Sequence, residues 1–268
     1  MNPIFKYSGG KKRECKLLQQ LTFTQINKAE RIVEPFAGSA AFSFSLEKPA
    51  LISDVRSDVI NVYNVVQHKK KYYQLQKKID ELKLITDVKL LEKEFYHQRD
   101  DMWKTDNDVD NAFRFIVIRQ LVFSGIDRVN PKTGKENAPF GWYKKFDCNL
   151  TIAHHNLLQN WQIKLQDVNE TFKQVKNTDF IFSDPPYINR NNSYGGKIMD
   201  DIQWHKDLQK LHTNANCNWL LVHCADDVYH EFATKNLVHK KAHQYSQNFK
   251  GRDNTKQKTE HWYIQNHT

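Results

Sequence analysis

The sequence has no apolar stretch long enough to cross a membrane. Its longest purely apolar runs extend over a few residues, as at positions 219–222, whereas a membrane-spanning helix needs about 20. The first residues also lack the apolar core of a secretory signal peptide. We therefore expect a soluble protein in the cytoplasm, without a membrane partner.

Metal-binding and disulfide patterns are missing as well. The four cysteines contain no pair with CxxC spacing, so neither a zinc site nor a disulfide framework is indicated, and a reducing compartment fits. The twelve histidines are scattered, and no metal is predicted. Neither the dinucleotide fingerprint GxGxxG nor a P-loop occurs. We find no internal repeat and no low-complexity segment.

Positive charge is in excess. The chain of 268 residues carries 40 Lys and Arg against 31 Asp and Glu, a formal charge of +9. Such an excess favours a polyanionic partner such as nucleic acid. Hydrophobic residues make up 39% of the chain, which is enough for a core. The length allows one large domain or a core domain with an insertion.

The most informative stretch is Asp184-Pro185-Pro186-Tyr187, which follows the apolar run 180–182. Its position predicts the end of a buried strand and the start of a loop. It combines a carboxylate, carbonyls beside proline rings that lack an N–H, and a flat aromatic side chain. This set suits an amino group on a planar heterocycle, because the oxygens accept its N–H bonds and the ring stacks on it. A tight turn is the alternative, since Asp and Pro are common in turns.

A second stretch has the form of a ligand-binding loop. Residues 31–33 predict a short buried strand, followed by Glu34-Pro35-Phe36-Ala37-Gly38-Ser39-Ala40 and then a helical segment. In an open α/β sheet, ligands lie beyond the carboxyl ends of the strands, against helix N-termini. The small residues therefore predict a nucleoside-binding loop. A helix that merely packs tightly on the sheet would use similar residues.

Acidic residues end two further predicted strands. Asp54 follows the strand 50–53 and lies about 20 residues after the start of the loop, the spacing of an acid that accepts both ribose hydroxyls. A cap on the following helix is the alternative for this residue. Asp167 closes the predicted strand 163–166.

The N-terminal stretch places an aromatic ring and a charge around a glycine pair. Tyr7 offers a stacking face and Lys11 an ammonium group, while the glycines permit close backbone approach. A flexible basic N-terminus is the alternative. A helical stretch is predicted to follow over residues 12–28.

The region from about residue 67 has a different character. Two helical segments, about 67–94 and 108–122, precede a stretch over 124–145 that is rich in Arg, Lys, Asn and aromatic residues. Asn-Pro-Lys-Thr-Gly-Lys within it is strong turn chemistry. We expect a protruding hairpin that contacts base edges and phosphates, with an ordinary exposed loop as the alternative. The predicted organisation is an inserted recognition domain, residues 59–146, within a catalytic domain of residues 1–58 and 147–268.

Two more segments flank the tetrad. Residues 189–201 are polar and contain glycine, and the stretch is long enough to be a mobile lid over a site. Residues 241–249 and 258–265 alternate in polarity on either side of a basic link. They predict a β-hairpin whose basic tip reaches phosphate.

Together these motifs resemble the adenine-specific DNA methyltransferases of the Dam type, the D12 or alpha class of amino-methyltransferases. The resemblance covers nearly the whole chain, and the order of the motifs fits: aromatic-Gly-Gly-Lys, Glu-Pro-Phe-x-Gly, an inserted recognition region, and the tetrad. Residues 128–141 are also similar to the DNA-recognition hairpin of the family. Three features depart from the family pattern. Tyr7 replaces a tryptophan, Ala40 stands at a glycine position, and the hairpin is about one residue longer.

The resemblance implies an α/β fold, namely a Rossmann-like S-adenosylmethionine-dependent methyltransferase sheet with an inserted, mainly helical target-recognition domain. It implies S-adenosyl-L-methionine as the cofactor and double-stranded DNA as the partner. A cognate restriction endonuclease and a monomer or weak dimer are compatible with it. The residues implied to line the cofactor pocket are Tyr7, Lys11, Glu34, Phe36, Ala37, Gly38, Ser39, Asp54, Asp167 and Asp184.

Within that set, Asp54 is expected to hold the ribose and Asp167 the amino group of the cofactor's adenine. The residues implied to act on the target base are Asp184, Pro185, Pro186 and Tyr187. The residues implied to contact DNA are Arg128, Asn130, Lys132, Lys135, Asn137, Pro139 and Tyr143.

The implied reaction is site-specific methyl transfer to N6 of an adenine flipped out of the duplex, and a restriction-modification system is a setting that fits. N6 is a poor nucleophile, so hydrogen bonds to Asp184 and the Pro185 carbonyl are expected to stabilise the charge that develops on it. The alternatives are the same chemistry on another amine (cytosine N4, an RNA base or a glutamine side chain) and a catalytically inactive DNA-binding module. The leading Asp184 and the basic insertion favour adenine in DNA. The longer hairpin prevents any inference of the target sequence.

Overall fold

The structure is a computed structural model that describes residues 1–101, 107–125, 127–128, 130, 132–133, 136–188, 202–245 and 257–266. The predicted lid, 189–201, and most of the basic link before residue 258 lie outside these residues. The strands are β1 (Arg31–Glu34), β2 (Ala50–Asp54), β3 (Trp161–Leu165), β4 (Asp179–Ser183), β5 (Asn218–Cys224), β6 (Leu237–Tyr245) and β7 (Gln257–Gln265). The helices are α1 (Cys15–Leu21), α2 (Phe23–Lys28), α3 (Ala41–Leu46), α4 (Ser57–Gln67), α5 (Lys69–Lys83), α6 (Val88–Asp100), α7 (Asp108–Leu121), α8 (Ile152–Leu158), α9 (Val168–Phe172), α10 (Ile202–Thr213) and α11 (Asp227–Thr234).

The seven strands form one sheet in the order β3-β2-β1-β4-β5-β7-β6. The first five are parallel, and β7 pairs antiparallel with both β5 and β6. The chain winds outward in one direction from β1 to β3 and in the other from β4, so the order switches between β1 and β4. Ligands bind beyond the carboxyl ends of strands at such a switch point. The predicted α/β fold is confirmed.

Alternation along the central strands fills both faces of the sheet. On β1, Ile32 belongs to one apolar cluster and Val33 to the other, and on β4 the same holds for Phe180 and Ile181. Because successive side chains of a strand point to opposite faces, both faces must be covered. The larger cluster continues without interruption from the sheet into α4, α5, α6 and α7.

The inserted region is helical, as the sequence predicts, and it packs through α7 against α4, α5 and α6. Where the helices of this region end, the chain forms the base of a hairpin: Val122 pairs with Phe140, and the Asn137 N–H donates to Arg128 O over 3.0 Å. The division into a catalytic domain and a recognition domain at residues 59–146 stays a prediction.

The stretch predicted to be helical over residues 12–28 is helical, but it is divided into shorter elements. A 3-10 turn over Lys11–Arg13 comes first, and α1 and α2 are separated at Thr22. The break follows from the backbone of Thr22, which is not helical (φ −124°, ψ 21°), and its hydroxyl donates to Leu18 O over 2.7 Å. Hydroxyl side chains compete with helical hydrogen bonding in this way.

The C-terminal hairpin is confirmed as the pair β6 and β7, and β6 begins four residues before the predicted start, at Leu237 rather than 241. In the described part of the chain, no helix combines the length and apolar character that a membrane span requires.

Candidate active site

The tetrad lies where β4 ends, and its carboxylate is held by two donors. Lys11 Nζ lies 2.7 Å from Asp184 Oδ2, and the Tyr187 hydroxyl donates to Asp184 Oδ1 over 3.0 Å. Lys11 also donates to Gly9 O and is almost fully buried, with 4% of its surface exposed. A buried ammonium needs such partners. The N-terminal turn and the fourth strand therefore meet at one ion pair.

Burial and the neighbouring charge act on Asp184 in opposite directions. Burial raises the pKa of the Asp184 carboxyl above its usual range, and the charge and hydrogen bond of Lys11 lower it. Burial also raises the pKa of Tyr187 well above that of a free phenol, with the Asp184 charge adding to the effect. Tyr187 therefore stays protonated and remains a donor, and Lys11 is the group that favours the ionised form of Asp184.

Gly38 is the tightest point of the loop after β1. Its N–H donates to Asp54 Oδ2 over 3.0 Å, and its carbonyl accepts from the Tyr63 hydroxyl over 2.7 Å. Its φ is +45°, and a Cβ on it would lie 2.9 Å from Tyr7 Cδ1. Only glycine fits against the ring at this backbone conformation. The loop, the end of β2 and the ring of Tyr7 thus form one cradle.

Ala40 stands where the resembled family has glycine, and its backbone is left-handed, with φ 47° and ψ 35°. This conformation costs an L-residue about 1–2 kcal/mol. The loop therefore keeps the shape that a glycine would adopt, and the methyl group of Ala40 is fully buried. Strain of this kind persists where surrounding packing enforces it.

Glu34 is buried below the loop rather than exposed in it. Its Oε2 accepts from the Ser43 backbone N–H and from the Ser43 hydroxyl, which lies 2.5 Å away. Burial raises the pKa of Glu34 to about 8 against these hydrogen bonds. The carboxyl joins the end of β1 to the first turn of α3. Ala37 and Ser39 are likewise buried, and Phe36 packs edge-on against Trp204, with ring centroids 6.0 Å apart.

The two other acids have different surroundings. Asp54 makes no cap on α4, because its Oδ1 accepts from Arg56 N and its Oδ2 from Gly38 N, each over 3.0 Å. It therefore belongs to the loop cradle. Asp167 is exposed, and its Oδ1 caps α9 by accepting from Glu170 N over 3.1 Å. Both acids lie at the carboxyl edge of the sheet, since Asp54 pairs with the last residue of β3, Leu165.

A wall of aromatic and histidine side chains lies behind Tyr187, and the sequence patterns did not reveal it. His223 and His261 lie 4.9 and 5.6 Å from the Tyr187 ring, and His223 stacks on Tyr229. Burial lowers the pKa of His223 to about 3, so its ring is neutral. Alternation along β5 and β7 predicts that the side chains of His223 and His261 point to one face of the sheet. It does not predict that both lie next to Tyr187.

The predicted DNA-contacting residues lie on the hairpin and its return. Arg128 donates from Nε to Asn137 Oδ1 over 2.7 Å and from Nη2 to Asn137 O, so these two residues bind each other across the hairpin. Asn130 accepts from Lys132 N in a turn. The Tyr143 hydroxyl accepts from Ser124 N, and about half of its side chain is exposed. Lys132 and Pro139 are exposed, and Lys135 lies outside the described residues.

A buried network of charges connects the loop region with this hairpin. Arg56 pairs with Asp58 and with Asp127, and Arg119 pairs with Asp127 (3.2 Å) and with Glu136 (2.7 Å). These five side chains are at most 12% exposed. Asp127 and Glu136 lie on the two arms of the hairpin, so the network fixes both arms to α7 and to the segment after Asp54.

Comparison with known proteins decides the family. The model of the D12 class N6 adenine-specific DNA methyltransferases matches residues 7–266. The chain belongs to this family. It is 31% identical over 201 residues to the type II methyltransferase M.CviBI of Paramecium bursaria Chlorella virus NC1A, covering 73% of this chain and 72% of that protein. It is 25% identical over 188 residues to the DNA adenine methylase of Escherichia coli K12, covering 69% and 64%.

Another relative is the type II methyltransferase M1.LlaDCHI of Lactococcus lactis subsp. cremoris, 31% identical over 200 residues, which cover 70% of this chain and 66% of that protein. The matched regions thus span 64% to 72% of the length of these relatives. The predicted family, fold and activity, an adenine-specific DNA methyltransferase, are confirmed. S-adenosylmethionine is the methyl donor of methyltransferases of this family in general, and DNA is their substrate.

Proposed function

We propose that this methyltransferase modifies N6 of an adenine extruded from duplex DNA, at one short sequence, and that Asp184 and the Pro185 carbonyl receive the amino group. The arrangement of Lys11, Asp184 and Tyr187 carries the proposal. An ionised carboxylate at the carboxyl edge of the sheet, with an aromatic ring beside it, is what a planar amine needs. A base inside a duplex cannot reach such a site without leaving the stack.

The residues of the loop cradle fit S-adenosylmethionine. Gly38 allows close approach of a ligand to the backbone, the Tyr7 ring borders that position, and Asp54 retains acceptor capacity beyond its two backbone donors. We assign Asp54 to the ribose, and Phe36, Gly38 and Ser39 to the methionine part. Asp167, exposed at the same edge, is assigned to the adenine amino group. When bound, the cofactor supplies an electrophilic methyl group on a sulfonium ion.

The protein's own groups prepare the acceptor. Asp184 and Pro185 O accept the two N6–H bonds, which favours a tetrahedral nitrogen and stabilises the positive charge that develops on it. Tyr187 and Pro186 border the base, and the charge of Lys11 favours the anionic form of Asp184. The proton of the product leaves N6 only after the N–C bond has formed. Because N6 and the methyl group are held in line, the transfer needs no further activation.

We assign target recognition to the inserted region, residues 59–146, and base-edge and phosphate contacts to its hairpin. Arg128, Asn130, Lys132, Lys135, Asn137, Pro139 and Tyr143 are the residues assigned. Their residue types suit direct readout and phosphate contact. Relatives named as type II methyltransferases support a restriction-modification setting with a cognate endonuclease.

Modification-sensitive sequencing of DNA from cells that express the protein tests this proposal. The wild type and an Asp207→Ala control, altered at an exposed acid of α10, should produce N6-methyladenine at one short motif. Asp184→Ala should produce none. The proposal is contradicted if DNA from cells with the wild type and with Asp207→Ala contains no N6-methyladenine. Methylation of cytosine or RNA by the purified wild-type protein would also contradict it.

A further inference from the structure

Three potential metal ligands converge beside the active site, although they are far apart in the sequence. Glu14, His243 and His261 each place one ligand atom within 4.8 Å of the others. Glu14 Oε2 lies 3.0 Å from His261 Nδ1 and 3.7 Å from His243 Nε2. Glu14 and His261 are buried, and His243 is partly buried. Sequence spacing could not reveal this group, since its members come from the start of α1, from β6 and from β7.

The strand register explains the convergence. His261 pairs with Lys241, and His243 lies two residues further along β6, so both histidines leave the same face of the sheet. Their ring centroids are 4.5 Å apart. Glu14 approaches from the N-terminal segment above this face.

We propose that Glu14, His243 and His261 bind a divalent transition-metal ion of the zinc type, with water completing the coordination. Two imidazoles and a carboxylate are a common zinc donor set. Zinc–ligand bonds of about 2.0–2.1 Å place the donors of a tetrahedral site roughly 3.3 Å apart. The two distances from Glu14 Oε2, 3.0 and 3.7 Å, bracket this value.

The ion would have a structural role and would take no part in the reaction. The Glu14 N–H donates to Lys11 O over 2.8 Å, and the His261 ring lies 5.6 Å from that of Tyr187. A metal held by Glu14 and the two strands therefore ties the C-terminal hairpin to the turn that carries Lys11. The Tyr263 hydroxyl, which donates to Glu14 Oε2 over 2.6 Å, supports the carboxylate as an outer partner.

The test uses the full chain without a histidine tag, stripped of metal by a chelator. Co²⁺ should bind one per chain and give visible ligand-field absorption, Zn²⁺ should displace it, and Zn²⁺ should raise the thermal midpoint. X-ray absorption of the zinc-loaded wild type should show two imidazoles. This measurement needs no variant.

His243→Gln should weaken Zn²⁺ binding by more than about 100-fold, beyond the loss expected for an outer partner. His239→Gln is the matched control, because His239 lies on the same strand and face but is exposed. Glu14→Gln, which removes another of the three proposed ligands, should also weaken Zn²⁺ binding. A cluster held by hydrogen bonds alone would show no stoichiometric Co²⁺ spectrum in the wild type, and equal effects of the two histidine variants would also overturn the site.

Discussion

The ammonium group of Lys11 and the carboxylate of Asp184 form a 2.7 Å ion pair between residues 173 positions apart. Lys11 is the more deeply buried of the two, at 4% against 18% side-chain exposure. The pair therefore combines the carboxylate that we propose as the acceptor with a counter-ion that solvent scarcely reaches. Its electrostatic effect on Asp184 is directly measurable.

Replacement of Lys11 by methionine should shift the acid limb of the methylation rate to higher pH. Burial already raises the pKa of Asp184 and Lys11 opposes this effect, so the pKa rises further without the lysine. Since the ionised carboxylate is the acceptor, activity then requires more alkaline conditions, by about one pH unit or more. Single-turnover rates measured against pH check this. Lys12→Met, at an exposed neighbour, should leave the limb in place.

Gly38→Ala should weaken binding of S-adenosylmethionine by about tenfold or more, because the new Cβ would lie 2.9 Å from the ring of Tyr7. Gly125→Ala is the matched control: it also has positive φ, but its Cβ would meet nothing within 4 Å. It should lose about 1 kcal/mol of stability to backbone strain and keep its cofactor affinity. Calorimetric titration and urea unfolding distinguish the two effects. Equal affinity of the two variants for S-adenosylmethionine would contradict the assignment of Gly38 to the cofactor site.

Asp127→Asn should both destabilise the protein and blur its choice of target site. It removes one of the two charged partners of Arg56 and one of the two of Arg119 inside the buried network, and breaking a buried pair costs up to about 3–5 kcal/mol. The hairpin arm that carries Asp127 loses its ion pairs to Arg56 and Arg119, while the residues assigned to the cofactor are not altered. Denaturant unfolding and sequencing of methylated DNA measure the two effects. Asp108→Asn, in an exposed pair with Lys71, should cost less than about 1 kcal/mol.

Glu34→Gln should flatten the dependence of stability on pH. Burial raises the pKa of Glu34 to about 8, so between about pH 5 and pH 8 the folded protein holds a proton that the unfolded chain has released. Stability therefore falls as pH rises through this interval, and the contribution disappears when the carboxyl is removed. Urea unfolding at several pH values compares the slopes. Glu92→Gln, on the exposed face of α6, should keep the wild-type slope, and an unchanged slope in Glu34→Gln would contradict the assignment.

The sequence predicts the strand ends well because each carries a local signal. The tetrad, the small-residue loop and Asp54 all lie at the carboxyl edge of the sheet, and apolar runs mark the strands that lead to them. The C-terminal hairpin follows from its alternation. These features depend on residues close together in the chain.

What the sequence does not predict depends on contacts between distant residues. Tyr63 belongs to an ordinary amphipathic stripe, and only the fold shows that its hydroxyl holds Gly38 O. His261 and Glu14 are 247 positions apart and share a hydrogen bond. Spacing within a motif cannot report such pairs, and the scattered histidines give no signal of them in the sequence. Thr22, which splits the predicted helix, carries no distinctive signal either.

The strand order has a consequence for synthesis on the ribosome. β7 lies between β5 and β6, and in the described sheet β6 joins its neighbours only through β7. A nascent chain that ends before residue 257 therefore leaves β6 unattached and lacks His261 and Tyr263, which hold Glu14 next to the Lys11 turn. Contacts between the two ends of a chain form late. Chains without β7 should thus remain unable to methylate the genome, and the enzyme becomes competent only after β7 is inserted.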